Sequence, residues 1–520
     1  MKKSLSFLLI MSILLAFVAC GGQSQLSNTD PIATQAPTSP TPEICEHTDE
    51  DDNGTCDGCS ESLLVNFDFY VINDLHGKFT DTDAQPGVDE LTTYLKTKYN
   101  TDENAIFLSS GDMWQGSSES NLTSGMIITE WMNELGFTAM TLGNHEYDWG
   151  EEPILQNYEI AQFPFLAINI YDRNTNERVS YCDSSVMIER DGLQIGIIGA
   201  IGDCYSSIAS DWTQDIFFYT GSDLTNLVMA EAEMLRSEGA DLIIYSLHDG
   251  YDGSNYNSSY LSDRDMNYYY DSVLSDGYVD IVFEGHTHKY YVKPDVYGVY
   301  HLQGGGENQG ITHADVDINR VTGTVSVNDA EYISTDNYDF YTGDTIVDTL
   351  MDKYDEQVSA GFEVLGYNRV NRSSAWLRQL GAELYYEYGL ELWGDEYDIV
   401  LGGGFFSARS PGYLKNGDVT YSQLQMIFPF DNCLVLCSIK GKDLKYKFFE
   451  TDNDRYFIHY GDYGATVKDN IDYDATYYII VDSYTSTYGP NNLTEIERYS
   501  TAFYLRDMLA EYIKDGNMAQ

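Results

Sequence analysis

What most constrains this chain is a repeated pattern in which apolar runs of strand length end in Asp, Asn or His. "LLVNFDFYVIND" runs into "LHG", "AIFLSSGD" into "MWQG" and "FTAMTLGNHE" into "YDWG", while "DLIIYSLHDG" and "DIVFEGHTH" close in the same way. Between these runs lie "VDELTTYLKTKY", "GMIITEWMNELG" and "LTNLVMAEAEMLRSEGA", which read as amphipathic helices. Such alternation predicts a layered α/β domain. In an open α/β sheet, ligands bind at the carboxyl ends of the strands, so the polar residues of separate segments are expected to meet at one edge.

Those residues are Asp74 and His76 in "NDLHG", Asp112 in "SGDMWQG", Asn144 and His145 in "GNHEYD", His248 in "SLHDG", and His286 with His288 in "EGHTH". A mixture of carboxylate, amide and imidazole donors suits Mn, Zn, Fe or Co better than Ca, which takes oxygens alone. Positions i and i+2 of an extended chain face the same side, so Asp74 with His76, and His286 with His288, are each expected to approach one centre together. Two ions sharing one carboxylate would employ the whole set. Neighbouring side chains diverge, which places His145 away from Asn144's ion. Asp148 is then positioned to hold one nitrogen of His145 and favour a protonated ring. A turn-capping role for Asp148 is the alternative. Glu146, Asp249, His301 and His313 read as structural or solvated, with His301 a lesser candidate for supporting the site.

Charge narrows the partners. Against 83 acidic residues stand 28 Lys and Arg, a formal charge of −55, so nucleic-acid polymers and anionic lipid are repelled and a phosphate-bearing ligand needs local cations or metal ions. At 520 residues the chain is long enough for two domains plus extras. Residues 1–20 read as an export signal, and "FVAC" resembles a bacterial lipobox, which implies lipid on Cys20 and an exported protein held at the cell surface or periplasmic face by its anchor. Residues 21–44, rich in Ser, Thr, Gln and Pro, read as a flexible tether. Residues 62–344 are expected to form the first domain and 345–361 a linker helix. Residues 362–520, with "DIVLGGGFF", "NCLVLCSIKG" and "ATYYIIVDSY", are expected to fold separately.

The five motifs, in this order and at domain-scale spacing, resemble those of the calcineurin-like dinuclear metallophosphoesterases. More narrowly, the chain is similar to the secreted 5'-nucleotidases, a family that includes UDP-sugar hydrolases and 2',3'-cyclic-nucleotide phosphodiesterases. The resemblance implies a four-layer β-sandwich domain with flanking helices, joined by a helix to a second α/β domain that binds substrate. It also implies that Asp74, His76 and His288 hold one divalent ion, that Asn144, His248 and His286 hold another, and that Asp112 bridges them. His145 and Asp148 become the catalytic dyad of an in-line hydrolysis of a nucleotide or nucleotide derivative. In the second domain, "FPFDN" resembles the segment that grips base and sugar through Phe430 and Asn432, and "LGGGFFSARSPG" suggests Arg409 as a phosphate contact. Arg369 and Arg372 in "YNRVNRSS" align more weakly as further phosphate contacts. "TSTYGPNN" replaces the family's "GGDG" loop, so Tyr484 or Tyr488 is expected to supply the second stacking ring. Tyrosine there suits a cyclic-nucleotide phosphodiesterase with 3'-nucleotidase activity, the alternative to a 5'-nucleotidase. A surface binding protein on a disabled scaffold would be expected to have lost a ligand, and none is lost.

The cysteines divide by context. Cys433 and Cys437 are four apart in an apolar run of strand type, about 13 Å, too far to bond each other, and Cys182 with Cys204 is a candidate pair. In "CEHTDEDDNGTCDGC", residues 45–61 offer Cys45, His47, Cys56 and Cys59, a zinc-like set with a C-x-x-C step. Asp49, Asp51, Asn53 and Gly54 mimic the start of a calcium loop, but Ser60 stands where its closing acid belongs. A structural zinc is preferred to calcium, with a disulfide as the competing reading for an exported chain.

Overall fold

Leu64–Ile72 shows how the sequence builds the first domain. Val65, Phe67, Phe69 and Val71 alternate with Tyr70 and Ile72, and the two sets enter different buried clusters on opposite faces of the strand. A strand apolar on both faces must be covered on both. In the computed structural model, which describes residues 45–81, 86–208, 212–251, 277–335, 345–406, 408, 412–450, 456–490, 492–499 and 503–519, this strand is central to a six-stranded sheet. Edge to edge, the order is Val325–Ser334, Gly310–Asn319, Leu64–Ile72, Ala105–Ser109, Ala139–Thr141 and Phe165–Leu166. The last four strands are parallel, and the first two pair antiparallel.

A second six-stranded sheet runs Tyr290–Pro294, Tyr300–Gly304, Ile281–Glu284, Leu242–His248, Leu193–Ile201 and Ser185–Arg190, with four parallel strands between antiparallel edges. The sheets share a core that includes Phe67, Phe69, Leu108, Ile197, Ile244 and Phe283. Helices Asp89–Thr101 and Met126–Leu135 cover the outer face of the first sheet, and Gly221–Ser237 covers that of the second. The result is the four-layer sandwich that the resemblance implies. The segment read as a linker forms two short helices, Thr345–Lys353 and Asp355–Val358, and then a 3-10 turn, Ser359–Phe362. Val347, Leu350, Tyr354 and Val358 are buried in the first domain's core, and the Tyr354 hydroxyl donates to Glu130 at 2.9 Å.

The remainder is built on a five-stranded mixed sheet, Phe457–His459, Ile399–Gly404, Thr476–Asp482, Leu434–Lys440 and Thr494–Arg498. Helices Ser374–Trp393, Tyr421–Ile427 and Leu505–Lys514 supply its second apolar cluster, separate from those of the sandwich. His47–Gln520 forms one compact unit, and among its inter-domain contacts Ser118 donates to Gln425 at 3.0 Å and Tyr488 to the carbonyl of Ile208 at 2.9 Å. Among the described residues, no helix is long and apolar enough to cross a membrane. The export signal, Cys20 and the tether lie outside the described residues, as does Arg409.

The second sheet also encloses a charged group. His301 is buried with its Nδ1 3.2 Å from Glu284 and its Nε2 3.8 Å from Asp295. Burial opposes the imidazolium, but the two carboxylates outweigh it and push the ring from 6.5 up to about 9. A folded value above the unfolded one means stability that is complete below pH 6.5 and lost as pH rises through about 9. Chemical denaturation across this window is expected to show an unfolding free energy falling by up to about 3 kcal/mol, with the slope absent in His301→Asn. An equal slope in both proteins would remove His301 as its source.

Candidate metal centre

Five strand ends deliver the expected residues to one edge of the sandwich. The first sheet supplies Asp74 and His76 after Leu64–Ile72, Asp112 after Ala105–Ser109, and Asn144 after Ala139–Thr141. The second supplies His248 as the last residue of Leu242–His248, and His286 with His288 after Ile281–Glu284. Ligand atoms of Asp74, His76 and His288 lie within 4.8 Å of one another, as do those of Asp74, Asp112 and His248. The convergence does not arise from extended chain. Asp74, His76, Asp112, His286 and His288 all have left-handed backbone, with φ of 50°, 51°, 54°, 69° and 53°. Tight left-handed turns, each costing on the order of 1–3 kcal/mol, fold the ligands inward where an extended segment would have carried them past the edge.

The hydrogen bonds around these donors identify what they are built to hold. His76 places Nδ1 2.8 Å from the carbonyl of Gln115, and His248 places Nδ1 2.6 Å from that of Ser110. A carbonyl only accepts, so in both neutral rings Nδ1 carries the hydrogen and Nε2 presents a lone pair. That of His248 faces Asp112 Oδ2 at 3.1 Å and Asn144 Oδ1 at 3.3 Å, both acceptors. That of His76 faces His288 Nε2 at 3.0 Å, itself 3.4 Å from Asp74 Oδ1. Asp112 Oδ2 is buried without a hydrogen-bond donor. Acceptors brought together in this way fit a cation between them. A proton can meet one such approach: burial opposes charge on His248, yet Asp112 and Asp74 push it up to about 10. The chemistry of the donor set as a whole, carboxylate, amide and imidazole, fits divalent ions of the Mn, Zn, Fe or Co type.

His145 and Asp148 lie at the margin of this cluster. A 3-10 turn, His145–Tyr147, follows Asn144 directly. It sends Asn144 towards His248 and His286, at 3.3 and 2.9 Å, while His145 keeps a ring nitrogen within 4.8 Å of donor atoms of His76 and Asp112. His145 Nδ1 lies 2.7 Å from Asp148 Oδ2, and its ring is 5.1 Å from that of His76 and 5.9 Å from that of Phe430. The backbone amide of His145 donates to Asp112 Oδ1 at 2.8 Å, which ties the dyad to the proposed bridging carboxylate.

In the second domain, Asn432 Oδ1 is 3.5 Å from Ser483 Oγ, at the start of the helix Ser483–Tyr488 that carries Tyr484 and Tyr488. Those two rings, each 42% exposed, are 5.1 Å apart, and Phe405 lies 5.9 Å from Tyr484. Arg372 is engaged elsewhere: its guanidinium lies over Trp376 at 4.1 Å and its backbone pairs with Leu414.

Several supporting residues escape a reading of the sequence. Buried Glu146 accepts from the amides of Asp112 at 2.9 Å, Met113 at 2.8 Å, Trp114 at 3.3 Å and Gly143 at 2.7 Å, binding two ligand loops together. Glu146→Gln turns a donor towards those amides; it is expected to lower unfolding free energy by about 2–4 kcal/mol and weaken metal retention, checked by calorimetry and metal analysis. Unchanged values for both would refute the role. Asn73 donates to Asp74 Oδ2 at 2.6 Å and to the Gly305 carbonyl at 2.7 Å, fixing that carboxylate's angle. Gly143 admits the approach of Asp112: a Cβ there would stand 2.3 Å from Asp112 Oδ1. Arg506 donates to the carbonyls of Phe428, Pro429 and Phe430 at 3.2–3.4 Å and pairs with Asp431, holding the "FPFDN" loop. The candidate disulfide is overturned: Cys182 donates to the Ala167 carbonyl at 3.5 Å and Cys204 to that of His248 at 2.9 Å, each as a buried thiol.

Comparison with known proteins agrees with this geometry. Residues 67–290 match the calcineurin-like phosphoesterases. Over 407 residues the chain is 26% identical to Endonuclease YhcR of Bacillus subtilis, covering 72% of this chain and 32% of that protein's length. Over 423 residues it is 25% identical to Protein UshA of Yersinia enterocolitica, covering 72% of this chain and 74% of that one. Among solved structures, the 5'-nucleotidase precursor of Thermus thermophilus matches with a TM-score of 0.65 at 18% identity, over 87% of this chain and 96% of that chain, a likeness of the two-domain fold. Motif order, layer architecture and the matched segment agree: residues 67–290 form a domain of the calcineurin-like phosphoesterase type.

Proposed function

We propose that this protein is an exported, lipid-anchored phosphohydrolase that removes phosphate from nucleotides in the manner of a 5'-nucleotidase. In this reading Asp74, His76 and His288 hold one divalent ion, Asn144, His248 and His286 hold a second, and Asp112 is shared. The observation that carries it is the convergence of His248 Nε2 on Asp112 and of His76 Nε2 on His288, with the His145 and Asp148 pair beside them. Two divalent ions, when bound, supply Lewis acidity towards the phosphoryl oxygens.

The chain's own residues do the rest. Asp148 fixes the ring of His145, which stabilises charge on the transferring group or protonates the leaving oxygen. Phe430, adjacent to His145, and Asn432 orient the nucleoside, held there by Arg506. Tyr484 and Tyr488 offer a further aromatic face, and Arg409 a phosphate contact, with Arg372 a weaker candidate because it is stacked on Trp376. The paired tyrosines favour one second reading, a 2',3'-cyclic-nucleotide phosphodiesterase and 3'-nucleotidase, because an aromatic face accepts a base without fixing where its phosphate is esterified.

The test is to strip metal from the exported chain, residues 21–520, restore Mn or Zn, and measure phosphate release from AMP, UDP-glucose and 2',3'-cyclic AMP. Metal-dependent release is expected, and the preferred ester decides between the readings. No metal-dependent release from any of the three would overturn the enzyme assignment for this site.

A further inference from the structure

The segment from His47 to Ser62 has almost no core of its own. Only Cys56, Asp49 and Gly54 are buried within it, and its backbone is held by a bridge between Thr55 and Ser62 and a few turn hydrogen bonds. A loop of this kind needs a cross-link or an ion to stay ordered. Two of its acidic residues, Asp49 and Asp52, are committed to protein donors instead. Asp49 accepts from the amides of Asn53 and Gly54 at 3.0 and 2.8 Å and from Asn319 Nδ2 at 2.6 Å. Asp52 accepts from Asn319 at 3.1 Å, Thr322 at 2.7 Å and Thr324 at 2.8 Å. These bonds fasten the segment to the turn between strands Gly310–Asn319 and Val325–Ser334, and those of Asp49 occupy both oxygens of the first calcium-loop position.

The sulfur and nitrogen donors are arranged differently. Ligand atoms of His47, Cys56 and Cys59 lie within 4.8 Å of one another, with His47 Nδ1 3.5 Å from Cys59 Sγ. A tetrahedral zinc with bonds of about 2.0–2.3 Å needs its donors roughly 3.3–3.8 Å apart, so only a small contraction separates the two arrangements. The amide of Gly58, inside the C-x-x-C step, donates to Cys56 Sγ at 3.4 Å, an interaction that favours a thiolate. Cys45 stands two residues before His47 in the sequence and completes a Cys3His set.

We propose that Cys45, His47, Cys56 and Cys59 bind a structural zinc ion, separate from the catalytic centre, which locks this segment against the Asn319–Thr324 turn.

The test uses the full exported chain. Metal analysis is expected to find one zinc more than in Cys56→Ser/Cys59→Ser, whose phosphate release matches the parent while cleavage by an added protease within residues 45–61 increases. Reconstitution with cobalt(II) separates this site from the catalytic one, which has no thiolate among its proposed ligands. A thiolate-to-cobalt charge-transfer band is expected in the parent and in Asp112→Asn, and is expected to vanish in the double Cys variant. Equal zinc content in parent and double variant, a band that persists without Cys56 and Cys59, or a native mass two hydrogens low with no zinc would each overturn the proposal. The last result would identify a disulfide. None of these outcomes depends on whether the protein hydrolyses nucleotides.

Discussion

Asp112→Asn is expected to lose at least one catalytic metal ion and to release phosphate about 10³-fold more slowly, as forfeiting several kcal/mol of electrostatic stabilisation requires. The carboxylate serves two sides of the centre at once. Its Oδ1 accepts the amide of His145 at 2.8 Å, while its Oδ2 faces His248 Nε2 at 3.1 Å and is buried without a donor of its own. An amide has one acceptor oxygen and can serve only one of these. Burial opposes ionisation of Asp112, but His248 and His145 hold it well below the usual carboxylate range, so the native group carries a charge that Asn cannot supply. Metal content by mass spectrometry, read beside turnover, checks the prediction. Two ions retained at parental affinity would show that Asp112 is not shared between them.

His145→Ala separates catalysis from metal binding. It is expected to keep both ions and lower kcat by about 10²–10⁴-fold, the range for a positioned acid or a charge-stabilising donor. The geometry behind this is the division within one turn: Asn144 directs its oxygen to His248 and His286, and His145 is tied instead to Asp148 at 2.7 Å. Asp148→Asn is expected to change kcat in the same direction by less, because the ring persists with a poorer orienting partner. Loss of an ion from His145→Ala would make His145 a ligand and undo the assignment.

Much of this architecture is legible because hydrophobic periodicity is local. Alternation along Leu64–Ile72 announces a strand apolar on both faces, and Asp, Asn and His at successive strand ends announce a shared edge. The reason given by extended-chain geometry for the pairing of Asp74 with His76 is nevertheless wrong, since both lie in left-handed turns whose dihedrals no periodicity encodes. Glu146 sits inside the most informative motif yet is one acid among 83 in a chain whose acids are mostly solvated, so nothing local marks it as buried. Arg506 is harder still, because it holds a loop 75 to 78 residues away. Supporting groups of this kind are specified by tertiary proximity alone. In the 45–61 segment composition suggests zinc or calcium, and the partners of Asp49 and Asp52 argue for the former.

The left-handed turns also bear on which sequences could ever occupy this centre. Asp, Asn and His are the residues, after Gly, that tolerate positive φ most readily, and they are also hard or borderline donors for divalent ions. At positions 74, 76, 112, 286 and 288 the vocabulary permitted by the backbone and the vocabulary required by coordination coincide. Substitution is thereby filtered twice. Glu keeps a carboxylate but loses conformational tolerance, and Gly keeps the conformation but loses the donor. An evolutionary path away from this proposed ligand set must cross both barriers together, whereas the exposed aromatic surface of Tyr484 and Tyr488 is under neither restriction.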